Sequence, residues 1–250
     1  MNIAIATQKG GTGKTTTSIS LSAGLARLKK KKVLLIDLDS QANASKVLLH
    51  DYMNIPSEDT ILRTILRRES IPVYDTHIEG LSISPSHILM SQTDMDLAMA
   101  KDHREARLKT ELEKIQGDYD HVIVDCPPSL GWLTINAFTA VSGVIIVASP
   151  GYFELDSIGQ IRNSLNEVKE YFNKDLSLIG ILFNQSDPTV NSKTSLQLLR
   201  QAYTSHVFKT VIPKNTDMRD AHFNKMDIFS HKPEAPSALA FKKLIDEIQI

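Results

Sequence analysis

Apolar residues in this chain gather in short runs separated by wide intervals. The runs are Asn2–Ala6, Val33–Asp37, Leu81–Ser84, His121–Asp125, Gly143–Ala148, Leu178–Phe183 and Val207–Ile212. Most are rich in Val, Ile and Leu without strict polar alternation, which is how strands buried on both faces read. Between most of them lie longer segments with apolar residues at helical spacing: Thr15–Leu28, His103–Ile115, Leu155–Phe172 and Ser192–Tyr203. Such alternation predicts an α/β fold of three layers, with a mostly parallel central sheet flanked by helices. Ligands in such sheets sit at the carboxyl ends of the strands. No internal repeat, low-complexity tract or Pro/Gly/Ser-rich linker interrupts the pattern, so residues 1–250 are expected to form a single domain.

Composition narrows the class. At 42% hydrophobic and 23% charged residues, the 250-residue chain has the make-up of an ordinary globular protein with a sizeable core. No apolar run reaches the ~18–20 residues of a membrane span. The apolar start, Met1 to Ala6, is too short for a signal peptide. One cysteine excludes an intrachain disulfide and a Cys-rich metal site. A soluble, cytoplasmic protein is expected. Net charge is -1, unlike a constitutively basic nucleic-acid binder. Residues 193–250 nevertheless hold nine Lys+Arg against six Asp+Glu, and residues 1–192 hold 19 against 23. The basic bias of the last quarter fits a DNA-facing surface; scattered charge on a solvated surface explains it as well.

The chemistry starts after the first strand, at Thr7-Gln8-Lys9-Gly10-Gly11-Thr12-Gly13-Lys14-Thr15-Thr16-Thr17. Glycines at 10, 11 and 13 let backbone N–H groups turn inward where side chains would block them. Together with the following helix N-terminus they form an anion nest. Gly10, Gly11, Thr12, Gly13, Lys14, Thr15 and Thr16 are thus the candidate nucleotide-binding residues. Lys14 can reach the β- and γ-phosphates, and the Thr15 hydroxyl can ligate Mg²⁺. The loop departs from the usual phosphate-loop pattern. Gln8 stands where the first glycine would fall, and an additional lysine, Lys9, precedes the glycine pair.

Lys9-Gly10-Gly11-Thr12-Gly13-Lys14-Thr15 resembles the deviant Walker A motif of the ParA/MinD ATPases. Val33 to Asn43 resembles the ParA segment built on Asp-Leu-Asp-Pro-Gln, with Ser40 in place of proline. Val122 to Gly131, including Asp125-Cys126-Pro127-Pro128, resembles Walker B and switch II of that family. The resemblance implies a P-loop NTPase fold and an ATPase using ATP and Mg²⁺. It implies that Lys9 crosses a homodimer interface onto the partner's nucleotide, as an arginine finger supplied in trans would; a solvated loop lysine is the plain alternative. By the same likeness Asp39 orients or activates the attacking water, while Asp37 and Asp125 support the metal; strand-end caps are the local alternative for Asp37 and Asp39. Asn184 resembles the family's adenine-contacting asparagine, and Pro213 the proline that lies against the base. Cys126 reads as a small strand-end residue, and the eight histidines show no metal-ligand spacing. Trp132 adjoins the proposed switch.

Three branches of the superfamily compete. Cluster-bearing relatives need cysteines this chain lacks. MinD-like positioning ATPases bind membrane through an amphipathic C-terminal extension. Here Ser237 to Ile250 carries apolar residues at helical spacing but mixes Lys242 and Lys243 with Asp246 and Glu247, and reads as a core-packed helix. The first strand starts at Asn2, as in short Soj-like ParA proteins without a preceding helix-turn-helix. The resemblance therefore implies a partition ATPase. Its ATP dimer would bind nucleoid DNA nonspecifically, and a ParB-like partner would stimulate hydrolysis. A MinD-like membrane-associated or cargo-positioning ATPase is the alternative. Candidate DNA contacts are Lys193, Arg200, Lys209, Lys214, Arg219, Lys225, Lys232, Lys242 and Lys243. Short ParA proteins often carry arginine two residues after the asparagine that is Asn215 here; this chain has Asp217 there and Arg219 two residues later.

Overall fold

The structure, a computed structural model, describes residues 1–151 and 154–248. Its strands are β1 (Asn2–Ala6), β2 (Val33–Asp37), β3 (Tyr74–Asp75), β4 (Leu81–Ser84), β5 (His121–Asp125), β6 (Gly143–Ala148), β7 (Ser177–Ser186) and β8 (Val207–Pro213). The helices are α1 (Lys14–Lys29), α2 (Asn43–Leu48), α3 (Ile61–Arg67), α4 (Met90–Met99), α5 (Arg107–Leu112), α6 (Trp132–Ala140), α7 (Glu154–Tyr171), α8 (Val190–Ala202), α9 (Asp217–Phe223), α10 (Ile228–His231) and α11 (Pro236–Ile248). The sheet runs β3-β4-β2-β5-β1-β6-β7-β8, with every pairing parallel except β3 with β4.

Both faces of this sheet are covered, which is why the apolar runs do not alternate. Ile3 and Ile5 enter one core cluster with α1, α2 and α11, whereas Ala4 and Ala6 enter the other with α3 to α8. Neighbouring residues on one strand thus feed opposite cores, and both must be apolar. The α11 helix buries Phe241, Leu244 and Ile245 in the first cluster, so its apolar face packs inward. Every strand run read from the sequence is present, the last two extended at their ends.

One helix is shorter than its periodicity predicts. Instead of spanning His103–Ile115, α5 begins at Arg107. His103 takes a left-handed φ of 37°, and the Asn136 side chain from α6 intervenes. Its amide donates to the Arg104 carbonyl at 2.6 Å, and its oxygen accepts from the Leu108 N–H at 3.2 Å. A tertiary cap thereby sets the start of α5, where local spacing alone would have continued it.

The topology creates a crevice beside β1. The connection through α1 runs from β1 to β2 on one side, whereas β5 connects through α6 to β6 on the other. Loops following β1, β2, β5 and β7 all emerge at the carboxyl edge near this switch point, where open α/β sheets bind ligands.

Candidate nucleotide site

The loop after β1 wraps the N-terminus of α1 with its amides from Gly10 onward free of backbone partners. Among the described residues, none of the N–H groups from Gly10 to Thr16 donates to a backbone carbonyl; the first that does is Thr17, to Gly13 at 2.9 Å. Gly13 takes φ +86°, and a Cβ there would sit 2.2 Å from the Asn184 amide nitrogen. Glycine is therefore required twice over, for the left-handed turn and for the close approach of β7. A concave set of free donors at a helix N-terminus suits a phosphate chain.

Lys14 lies beneath this nest, buried, with its ammonium 3.0 Å from Asp125 Oδ1 and 3.4 Å from Asp39 Oδ2. Burial alone would lower its pKa; the carboxylates of Asp125 and Asp39 outweigh that and hold the ammonium above its ordinary value. Ser18, one helical turn on, donates to the same Asp125 oxygen at 2.9 Å. The other oxygen, Asp125 Oδ2, is buried without a partner. A buried, unsatisfied carboxylate oxygen is costly in a finished fold, and a metal or its bound water would satisfy it.

Asp37 is paired in register with Asp125 on the adjacent strand. It accepts from the Ser45 N–H at 3.0 Å, the Ser45 hydroxyl at 2.8 Å and the Asp39 N–H at 3.1 Å. Complete burial first, and then the charge of Asp125, push its carboxyl up to about 7 against those hydrogen bonds. Burial likewise pushes the Cys126 thiol up to about 12, so it stays protonated at neutral pH and is no nucleophile. Among the described residues no three His, Cys, Asp or Glu side chains cluster as metal ligands. A divalent cation held here would depend on the Thr15 hydroxyl, one or two carboxylates, water and the phosphates themselves, which is the habit of Mg²⁺.

Asn184 and Pro213, from the ends of β7 and β8, line a cleft of about 430 Å³ together with Gly13, Thr16, Asn215 and Arg219. It opens beside the phosphate loop and suits a base. Asn184 also touches the loop: its amide donates to the Thr12 carbonyl at 2.9 Å and, at 3.4 Å, to that of Gly13. Neighbouring Gln185 donates to the Gly11 carbonyl at 2.7 Å. Ser18, Ser45 and Gln185 were not singled out from the sequence. Ser18 was findable, because four residues after Lys14 on a helix is the same face; the other two depend on which loops meet.

Lys9 lies exposed on the outer edge of the loop. The basic candidates come from both helical layers and from the edge strand β8 between them. Lys193 and Arg200 lie on α8, which packs into the second core cluster, whereas Lys242 and Lys243 lie exposed on α11, which packs into the first. The Lys225 ammonium donates to the His50 carbonyl at 3.0 Å. Lys232 pairs with Asp217 at 3.0 Å, so the acid at the departing position is engaged within the chain.

Trp132 opens α6 directly after the Pro127-Pro128 segment, with the Arg104 guanidinium 3.9 Å above its ring. The Asp94 carboxylate accepts from the next residue's N–H, Leu133, at 2.9 Å. A shift of this segment on ATP binding would move the indole under that cation. Tryptophan emission is expected to change with ATP and not with ADP; identical spectra in the two states would count against a moving element here.

Comparison with known proteins agrees with this geometry. The family model described as an AAA domain matches residues 1–178. The sporulation initiation inhibitor protein Soj of Bacillus subtilis is 35% identical over 251 residues, covering 98% of this chain and 97% of that protein. The chromosome-partitioning ATPase Soj of Thermus thermophilus is also 35% identical, with 98% and 94% covered. Among solved structures, a cobyrinic acid a,c-diamide synthase from Mycobacterium smegmatis with bound ATP analog and magnesium superposes with a TM-score of 0.83 at 31% identity, covering 98% of this chain and 92% of that one. The septum site-determining protein MinD from Pyrococcus horikoshii, complexed with Mg-ADP, gives 0.77 at 25% identity, covering 99% and 95%.

Proposed function

This chain belongs to the ParA/MinD superfamily of P-loop ATPases, close to the Soj-like ParA proteins, and from that premise we propose that it is a Mg²⁺-dependent partition ATPase whose ATP-bound homodimer coats DNA. The observation that carries the reading is the buried Lys14 held against Asp39 and Asp125 beneath a nest of unpaired amides. Several of the relatives bear partition or Soj names, and the solved neighbours include complexes with ATP analog or ADP and magnesium.

The residues supply positioning and charge, which is most of what phosphoryl transfer requires. Bound magnesium would neutralise charge on the β- and γ-phosphates. Lys14 exchanges its two carboxylate partners for phosphate oxygens. That exchange frees the Asp39 carboxylate to hold the attacking water and accept its proton. Thr15 offers its hydroxyl to the metal, while Asp125, kept in place by Ser18, presents its unpartnered oxygen. Lys9 lends its ammonium to the nucleotide of a second copy. Asn184 and Pro213 hold the base.

Contacts with DNA would be to phosphate and largely blind to sequence. If each protomer neutralises ~3 phosphates, the dimer neutralises ~6, and the logarithmic salt slope approaches about -5. A ParB-like partner with a basic N-terminal segment would stimulate hydrolysis and release the dimer. The membrane alternative is weakened by α11, which exposes Leu239 but buries Phe241, Leu244, Ile245 and Ile248 in the core, where they cannot enter lipid without unpacking. Among the described residues no helix is long and apolar enough to cross a membrane.

The test is Asp39→Ala. That variant should accumulate as an ATP-bound dimer that sediments with DNA and not with liposomes, with phosphate release falling about 10²-fold or more. Rapid turnover by the variant would rule out the water-orienting role, and ATP-dependent sedimentation with liposomes alone would overturn the DNA reading.

A further inference from the structure

We propose that Gln185 is a positioning residue for the phosphate nest, fixing which way the loop amides face. The inference rests on a nucleotide occupying that nest. Across a trans peptide, a carbonyl and the following N–H point in opposite directions. Whatever grips the carbonyls of residues 11 to 13 on one side therefore aims the amides of residues 12 to 14 to the other. The end of β7 does this with two consecutive amide side chains. Gln185 Nε2 donates to the Gly11 carbonyl at 2.7 Å, and Asn184 Nδ2 donates to that of Thr12 at 2.9 Å. The N–H groups of Thr12 and Gly13 are turned away from β7 as a result, and among the described residues neither finds a backbone acceptor. They stay aimed and unpaired, ready for an anion.

The backbone at Gln185 supports the same reading. Its φ is +57°, a left-handed conformation that a residue of this shape seldom adopts. The turn is held by the preceding side chain, since Asn184 Oδ1 accepts the Gln185 N–H at 2.8 Å. Strain of this kind persists where surrounding structure over-determines it, and such sites cluster at ligand clamps. A glycine would take this conformation freely, so the backbone alone does not call for glutamine. What glutamine adds is a donor long enough to reach Gly11.

Gln185 also lines the cleft assigned to the base. Its two possible roles separate by ligand: ADP engages both the cleft and the nest, adenosine only the cleft. Calorimetric or competition binding of ADP and of adenosine should be compared for the full chain and two variants. Gln185→Gly removes the donor and relieves the positive φ. Its melting temperature should be no lower than wild type while ADP affinity falls about 3- to 10-fold, the scale of one lost hydrogen bond, and adenosine affinity stays within about 2-fold. Gln185→Glu keeps the shape but sets a carboxylate oxygen against the Gly11 carbonyl, and should lose at least as much ADP affinity.

Equal ADP affinity in wild type and both variants would overturn the proposal, as would ADP and adenosine weakening together, which would make Gln185 a base contact. Should Gln185→Gly melt early, the ADP-to-adenosine ratio of Gln185→Glu decides by the same criterion. A wild-type chain that failed to bind ADP would remove the nucleotide reading itself, and this inference with it; a wild type that binds while the variants match it defeats the inference alone.

Discussion

Replacing Lys14 with alanine is expected to abolish nucleotide binding and to cost the nucleotide-free fold about 3 kcal/mol at neutral pH. The binding loss should exceed about 10²-fold, because the one cation buried in the site among the described residues is removed from beneath the phosphates; micromolar affinity in calorimetry would contradict the assignment. The stability loss has a separate origin. Lys14 neutralises Asp125 and Asp39 at 3.0 and 3.4 Å, and it also holds down the pKa of Asp37. Asp37 is an acid raised from 3.8 to about 7 in the fold. Such a group favours the folded chain at low pH, and that advantage is lost as pH rises through the folded value. Without Lys14 the Asp37 carboxyl rises further and the loss extends to higher pH. The gap in melting temperature between variant and wild type should therefore open near pH 7 and widen above it. A gap independent of pH would mean that the lysine is held by packing and not by charge.

The second large effect is expected at Lys9, and it is of the opposite kind. Lys9→Ala should leave the melting temperature and the affinity for ADP nearly unchanged, because the side chain lies exposed at the rim of the loop. What should disappear is the ATP-dependent dimer: light scattering with a non-hydrolysable analogue is expected to report a monomer where wild type reports twice that mass. The physical reason is that two triphosphates pressed between two copies repel each other and their surroundings unless each is met by a cation from the far side. DNA retention should fall with the dimer, since halving the number of neutralised phosphates halves the salt slope. An intact ATP dimer of Lys9→Ala would refute the trans arrangement while leaving the Lys14 prediction standing. The two variants together distinguish a failure to bind nucleotide from a failure to use it as an adhesive.

The covalent order of residues was enough to determine the parallel sheet and the glycine-rich loop after β1, and to single out Lys14, Thr15, Asp37, Asp39 and Asp125 as candidates. These features are local or periodic: a strand buried on both faces must be apolar at every position, and an anion nest needs glycines at fixed offsets from a helix start. Tertiary structure alone decided what those residues do to one another. It set Lys14 between two carboxylates, left one oxygen of Asp125 bare, and raised Asp37 by burying it completely and in register with Asp125. It shortened α5 with an amide from α6 and split the basic residues between two layers. It also brought Gln185 across 174 positions to Gly11. Such pairings depend on strand order, and strand order is chosen by how two cores close around a twisted sheet, which no short window of sequence contains.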